Sequence, residues 1–236
     1  MAQRTLDGTG VTPRSGAGTV VRYDPTITLP DPDGDPDAER EHFVDAVETA
    51  TAALDAERDA TAERVGEAEA EVFEAHIQFL QDPTIETAVE ASIEKGLPAA
   101  NAVDDAFGEH IAQFEKMDGR MAARADDLRD VRDRLLRLLT DGDRVNLAAL
   151  PAGSVVLAKR LTPSDTAQLD PETVAGFATA TGGRTSHAAI FARSLALPAV
   201  VGLGDELNDI ADGAEVVVDG DSGEVLVGPY EDERAA

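Results

Sequence analysis

Between about residues 38 and 139, apolar side chains recur at steps of three and four. Phe43, Val47, Ala50 and Leu54 make one stripe, and Val72, Phe73, His76, Ile77 and Leu80 make a second that stops at Asp82-Pro83. Ile85, Val89 and Ile93 follow, ended by Gly96-Leu97-Pro98. Val103, Phe107, Ile111 and Phe114 give a fourth stripe, and Leu128, Val131, Leu135 and Leu139 a fifth. A stripe at this period places its members on one face of a helix, where burial against other helices offsets the entropy of ordering the chain. No strand-like run interrupts the segment and no unit repeats along it, so it predicts an all-helical bundle rather than a solenoid.

The pattern differs on both sides. Residues 5–23 are glycine-rich and then β-branched at Thr19-Val20-Val21, which predicts a turn and one or two short strands. So short a piece has no core of its own and must join a sheet formed later. From Asp24 to Arg40 prolines and aspartates predominate, the mark of an extended crossing. Thr140-Asp141-Gly142-Asp143 closes the bundle. Strands are then predicted at 154–158, 174–179, 199–201, 215–218 and 224–227, with a short helix from Pro163 to Leu169 and another from His187 to about Leu195. Asp219-Gly220-Asp221-Ser222-Gly223 joins the last two strands as a hairpin. The order predicts one α/β domain, residues 1–32 with 145–236, interrupted by an inserted helical domain, residues 33–144.

Composition narrows the chemistry. A hydrophobic content of 42% is that of a globular chain, and with no cysteine there is neither a disulfide nor a thiol nucleophile. His42, His76, His110 and His187 lie far apart, so no metal-binding pair is expected. The amino terminus lacks the apolar stretch of a signal peptide and no run is long enough to span a membrane, which places the expected protein in the cytoplasm. Acidic residues number 47 against 20 basic ones, a net charge of −27, which disfavours nucleic acid as a partner. The excess fits either a basic protein partner or life at high salt; its spread over the whole chain favours high salt.

The chemistry concentrates in Gly182-Gly183-Arg184-Thr185-Ser186-His187. A glycine turn feeds a helix, with Ser186 as N-cap and His187 in the first turn. N–H groups at a helix start and the positive end of its dipole suit an anion, and Gly182, Gly183 and Ser186 would bring backbone close to it. A phosphoryl group carried on His187 fits this setting. A common turn followed by a packing histidine would have the same spacing.

The run GGRTSHAAIFARSLALPAVVG closely resembles the phosphohistidine motif of enzyme I of the phosphoenolpyruvate-dependent sugar phosphotransferase system. A looser form marks the swivelling domains of pyruvate phosphate dikinase and phosphoenolpyruvate synthase. Leu161 to Leu169, Val72 to Asp82 and Arg129 to Arg137 also resemble enzyme I, and Gly10 to Gly18 does so loosely. The resemblance implies an α/β phosphohistidine swivelling domain with an inserted helical bundle. It implies attack by His187 through Nε2, with Thr166 hydrogen-bonding near the active histidine. Arg184 and Thr185 either assist the phosphate or, for Arg184, face solvent; Arg193, six residues past His187, points elsewhere and packs or pairs structurally.

The same resemblance implies that the helices dock HPr, a small carrier with its own active histidine. Glu67, Glu71, Glu74 and Asp82 are the candidate charged contacts, and Phe79 and Ile85 the apolar ones, although any single carboxylate in so acidic a chain can be plain solvated surface. His76, beside its apolar stripe, is expected to pack rather than to carry phosphate. Full-length enzyme I continues into a barrel that binds phosphoenolpyruvate and Mg²⁺ and drives dimerisation, whereas this chain stops at Ala236. Transfer between His187 and a carrier histidine is therefore expected, by a monomer holding no metal or cofactor of its own. The alternatives are the phosphohistidine domain of a dikinase, a synthase or a dihydroxyacetone kinase phosphotransfer protein, or a non-catalytic interaction module with an inert His187. The helical insertion argues against the dikinase.

Overall fold

The computed structural model describes residues 3–25, 27–117, 120–140 and 145–229. They form two compact units: the chain up to Asp24 together with the chain from Val145 onward, and the segment between, beginning at Pro25.

The second unit is helical: α1 (Pro36–Arg64), α2 (Glu67–Leu80), α3 (Pro83–Ile93), α4 (Ala99–Phe114) and α5 (Arg120–Leu139). Asp35 caps α1, its carboxylate accepting from the N–H groups of Asp37 and Ala38, and Asp82 caps α3 by accepting from Thr84 N–H; each is followed by a proline at the first helical position. The stripes read from sequence form the core, with Phe73, Phe107, Leu54, Ile93, Leu128 and Leu135 wholly buried. Each large side chain so buried contributes about 1.5–3 kcal/mol. His76 is also wholly enclosed, with Nε2 3.7 Å from an Asp127 oxygen and Nδ1 3.6 Å from an Asp130 oxygen, both carboxylates projecting from α5. Phe73 meets its ring edge-on at 6.0 Å.

Two details depart from the sequence reading. The crossing from residue 25 belongs to the helical unit, eight residues earlier than the expected boundary at 33. Asn101 of α4 donates to the Pro30 carbonyl at 3.3 Å, and Gly34 N–H donates to the Gly96 carbonyl at 3.0 Å, so the proline-rich stretch packs against helices. The expected turn at 140–143 lies, from Asp141, outside the described residues.

The first unit is a sheet of eight strands: β1 (Arg4–Asp7), β2 (Thr9–Gly10), β3 (Ser15–Tyr23), β4 (Ser154–Ala158), β5 (Val174–Thr179), β6 (Ala199–Val201), β7 (Glu215–Asp219) and β8 (Glu224–Val227). The order is β1-β8-β7-β3-β4-β5-β6-β2, with β3 to β6 mutually parallel and the remaining pairings antiparallel. The two outermost strands are consecutive in the chain, so the sheet curls until Gly8 bridges its edges. Gly8 N–H donates to the Gly223 carbonyl at 2.8 Å on the β8 side, and a Cβ on Gly8 would lie 2.8 Å from Val200 on the β6 side. Closure removes the unpaired edges that an open sheet would expose.

β3 begins at Ser15, inside the stretch that composition marks as a turn. Its glycines serve close packing: a Cβ on Gly16 would come within 2.0 Å of the Ala175 carbonyl, and one on Gly18 equally close to that of Gly153. The curled sheet encloses Leu6, Val20, Val155, Leu157, Val200, Val216, Val218 and Val225. Its outer face, with Val156, Phe177 and Val201, packs against Leu161, Leu169, Ala188 and Ala192, contributed by the segments around α6 (Pro163–Ala167) and α7 (His187–Ser194). Every residue of β4 is buried as a result.

A candidate phosphohistidine site

α6 follows β4 and α7 follows β5, so both helices begin at the carboxyl ends of parallel strands, where open backbone groups and crossing loops leave room for a ligand. Thr181 ties these ends together, its N–H and its hydroxyl both donating to the Lys159 carbonyl at 3.0 Å.

His187 is the first residue of α7 and is half-buried. The turn before it is held from several sides. Gly182 has φ +115°, a backbone conformation closed to ordinary L residues. Ser186 donates its N–H to the Gly183 carbonyl at 3.0 Å and its hydroxyl to the same oxygen at 2.8 Å. That hydroxyl oxygen accepts from Ala189 N–H at 3.3 Å, making Ser186 the N-cap. Arg193 reaches back one face of the helix to donate to the Arg184 carbonyl at 3.0 Å, the structural pairing expected of it. The Arg184 and Thr185 side chains are exposed beside this turn. His187 therefore stands at the positive end of a helix, behind a glycine turn whose backbone an anion can approach.

Thr166 lies on α6, which packs against α7. It is wholly buried, and its hydroxyl donates to the Thr162 carbonyl at 2.7 Å, so towards any other group it offers lone pairs. Thr162 and Asp165 form a capping box at the start of α6: Thr162 N–H donates to an Asp165 oxygen at 3.0 Å, and Asp165 N–H donates to the Thr162 hydroxyl at 3.1 Å. The other Asp165 oxygen accepts the Tyr23 hydroxyl at 2.6 Å. Neither Tyr23 nor Asp165 was singled out by sequence. The TPSD run does signal a capped helix, but nothing local links it to a tyrosine 142 residues away.

The expected docking residues divide. Glu67, Glu71 and Glu74 are exposed along one side of α2, with Glu74 receiving an Arg58 guanidinium N–H at 3.4 Å. Phe79 and Asp82 are half-buried, and the Asp82 carboxylate is engaged as the α3 cap. Ile85 is 4% exposed and belongs to the helical core, which corrects its reading as an apolar surface contact. Its period of four with Val89 and Ile93 turns it inward with them.

His187 thus heads a capped helix in an α/β unit whose chain is interrupted by a helical insertion. The family described as PEP-utilising enzyme, N-terminal, matches residues 7–124, and the PEP-utilising enzyme mobile domain matches residues 150–223. The chain belongs to the PEP-utilising enzyme family. It is 62% identical to a phosphoenolpyruvate-protein phosphotransferase of Haloferax volcanii over all of this chain and 42% of that protein. It is 41% identical to one of Priestia megaterium over 79% of this chain and 33% of that protein. The chain thus spans well under half the length of these curated relatives. An NMR solution structure of Enzyme I (nEIt) matches with a TM-score of 0.75 and 37% identity, covering 96% of this chain and 94% of that one. A structure of the N-terminal domain of the nitrogen Enzyme 1 matches with a TM-score of 0.64 and 26% identity, covering 95% and 94%.

Proposed function

We propose that the chain carries a phosphoryl group on His187 and exchanges it with the histidine of the carrier HPr, as part of a phosphoenolpyruvate-dependent sugar phosphotransferase system in the cytoplasm. The observation that carries this reading is the placement of His187 at the first position of α7, behind a turn built from Gly182, Gly183 and Ser186. Phosphoryl transfer asks for positioning and charge stabilisation more than for covalent activation. Thr166, whose own proton is committed to Thr162, accepts from Nδ1–H and leaves the Nε2 lone pair for attack. In the step, the P–N bond of the carrier breaks and its electron pair stays on the carrier imidazole, which takes up a proton. A P–N bond forms at His187, whose ring releases its Nδ1 proton. Helix N–H groups and Arg184 stabilise the transferring group.

HPr docks on the exposed acidic side of α2, where Glu67, Glu71 and Glu74 attract a basic carrier and speed its encounter. The relatives' names attach phosphoenolpyruvate to this chemistry. The −27 net charge suits a protein working at high salt, where screening relieves its self-repulsion. The test is transfer of ³²P from phosphorylated HPr at high salt, comparing wild type with His187→Ala. An acid-labile label on wild type alone supports the assignment. Equal label on both proteins refutes it.

A further inference from the structure

Tyr23 and Asp165 are 6% and 2% exposed, and the 2.6 Å bond from the Tyr23 hydroxyl to the Asp165 carboxylate joins the last residue of β3 to the first turn of α6. Four polar groups are linked there in series. Tyr23 donates to Asp165, Asp165 and Thr162 exchange two hydrogen bonds, and the Thr162 carbonyl accepts the Thr166 hydroxyl. α6 has only five helical residues, so it lacks the hydrogen bonds that would keep it in place by itself. Besides the packing of its buried residues, the Tyr23–Asp165 bond holds its amino end. A phenol donating to a buried carboxylate is a strong, directional contact, since one partner is an acid group withdrawn from water. A displacement of α6 would carry Thr166 with it and move the group offered to α7.

We infer that Tyr23 and Asp165 are positioning residues for phosphoryl transfer: their hydrogen bond fixes α6 so that Thr166 holds the His187 imidazole in the tautomer with Nε2 open. This rests on the reading of His187 as the phosphoryl carrier. Tyr23 is also the last but one residue of the first chain segment of its unit, because the chain crosses to the helical unit after Asp24. The same bond therefore anchors, beside the site, the strand from which the crossing departs.

The experiment compares the full chain with Tyr23→Phe, Asp165→Asn and His187→Ala, using phosphorylated HPr as donor and ¹⁵N NMR of the His187 ring as a second readout. Tyr23→Phe removes one oxygen and keeps the ring that packs in the core, so the fold persists; Asp165→Asn breaks the same link from the other side. Both variants are expected to lose about ten- to a hundredfold in kcat with KM for the carrier unchanged, as a small misplacement of a reacting group does. Both should show a mixture of neutral tautomers where wild type shows one. Wild-type kcat in Tyr23→Phe, or a lowered kcat with the wild-type tautomer, overturns the inference while His187→Ala stays inactive and the transfer reading stands. Transfer by His187→Ala overturns the reading and the inference together.

Discussion

The two units each place a histidine beside an apolar helix stripe, and they do opposite things with it. In the helical unit His76 sits in mid-helix, wholly buried, with a carboxylate within 3.7 Å of each ring nitrogen. In the α/β unit His187 stands at the first helical position, half-exposed, behind a glycine turn. Enclosure between two fixed carboxylates makes the His76 ring a structural joint between α2 and α5. A place at the helix start leaves the other ring within reach of a partner. Residue type is the same; the difference lies in position along the helix and in what the neighbouring element supplies.

This contrast is broken most sharply by removing each ring in turn. His187→Ala is expected to abolish acceptance of phosphate while leaving the thermal unfolding midpoint nearly unchanged. His76→Ala should leave transfer per folded molecule intact but destabilise the helical unit by about 3–5 kcal/mol, because two buried carboxylates lose the group between them. Calorimetry alongside labelling separates the outcomes, and loss of transfer in a folded His76→Ala protein would contradict the division of roles.

Smaller changes sharpen the comparison. Gly182→Ala forces an ordinary residue to φ +115°, which costs about 1–2 kcal/mol and distorts the turn ahead of His187. Transfer should fall much more than stability does. Ser186→Ala removes the cap of α7 and is expected to cost about 1 kcal/mol, with Ser186→Asn restoring most of it. Urea unfolding of the three proteins checks the order.

The smallest effect concerns pH and the hairpin between β7 and β8. Burial pushes the Asp219 carboxyl up, but the N–H groups of Asp221 and Ser222 and the Ser222 hydroxyl outweigh it and hold the group below the usual carboxylate range. A depressed folded value means that the contribution to stability is present above the unfolded carboxylate range, near about 4, and is lost as pH falls through the folded value. Asp219→Asn should accordingly narrow the stability gap to wild type on acidification. A gap that widens towards low pH would contradict the hairpin's hydrogen bonds as the cause.

The helices were legible because each stripe is local: Phe107 and Ile111 announce their shared face within one turn. The site's first half was legible for the same reason, since turn, cap and histidine occupy six consecutive residues. Its second half was legible only in part. Thr166 came from a family pattern, whereas Tyr23 and Asp165 meet through strand register, with Tyr23 paired beside Ala158 at the end of β4. The glycines of β3 were misread as a turn because composition reports flexibility, while their purpose is clearance for the Ala175 and Gly153 carbonyls. Ile85 was misplaced because the family resemblance named it as a docking contact, although its own stripe with Val89 and Ile93 turns it inward.

By itself the sequence determined the local events: where helices start and stop, which face of each is apolar, and that a histidine follows a glycine turn and a serine cap. These depend on contacts within a few residues, and their energies are set by chain geometry that needs no partner. Tertiary structure decided the closure of the sheet across Gly8, the side of the boundary on which residues 25–32 fall, the burial of His76 between two aspartates, and the Tyr23–Asp165 bond. Each of those joins groups far apart in the chain, whose meeting is specified by packing and register and leaves no periodic trace in the order of residues.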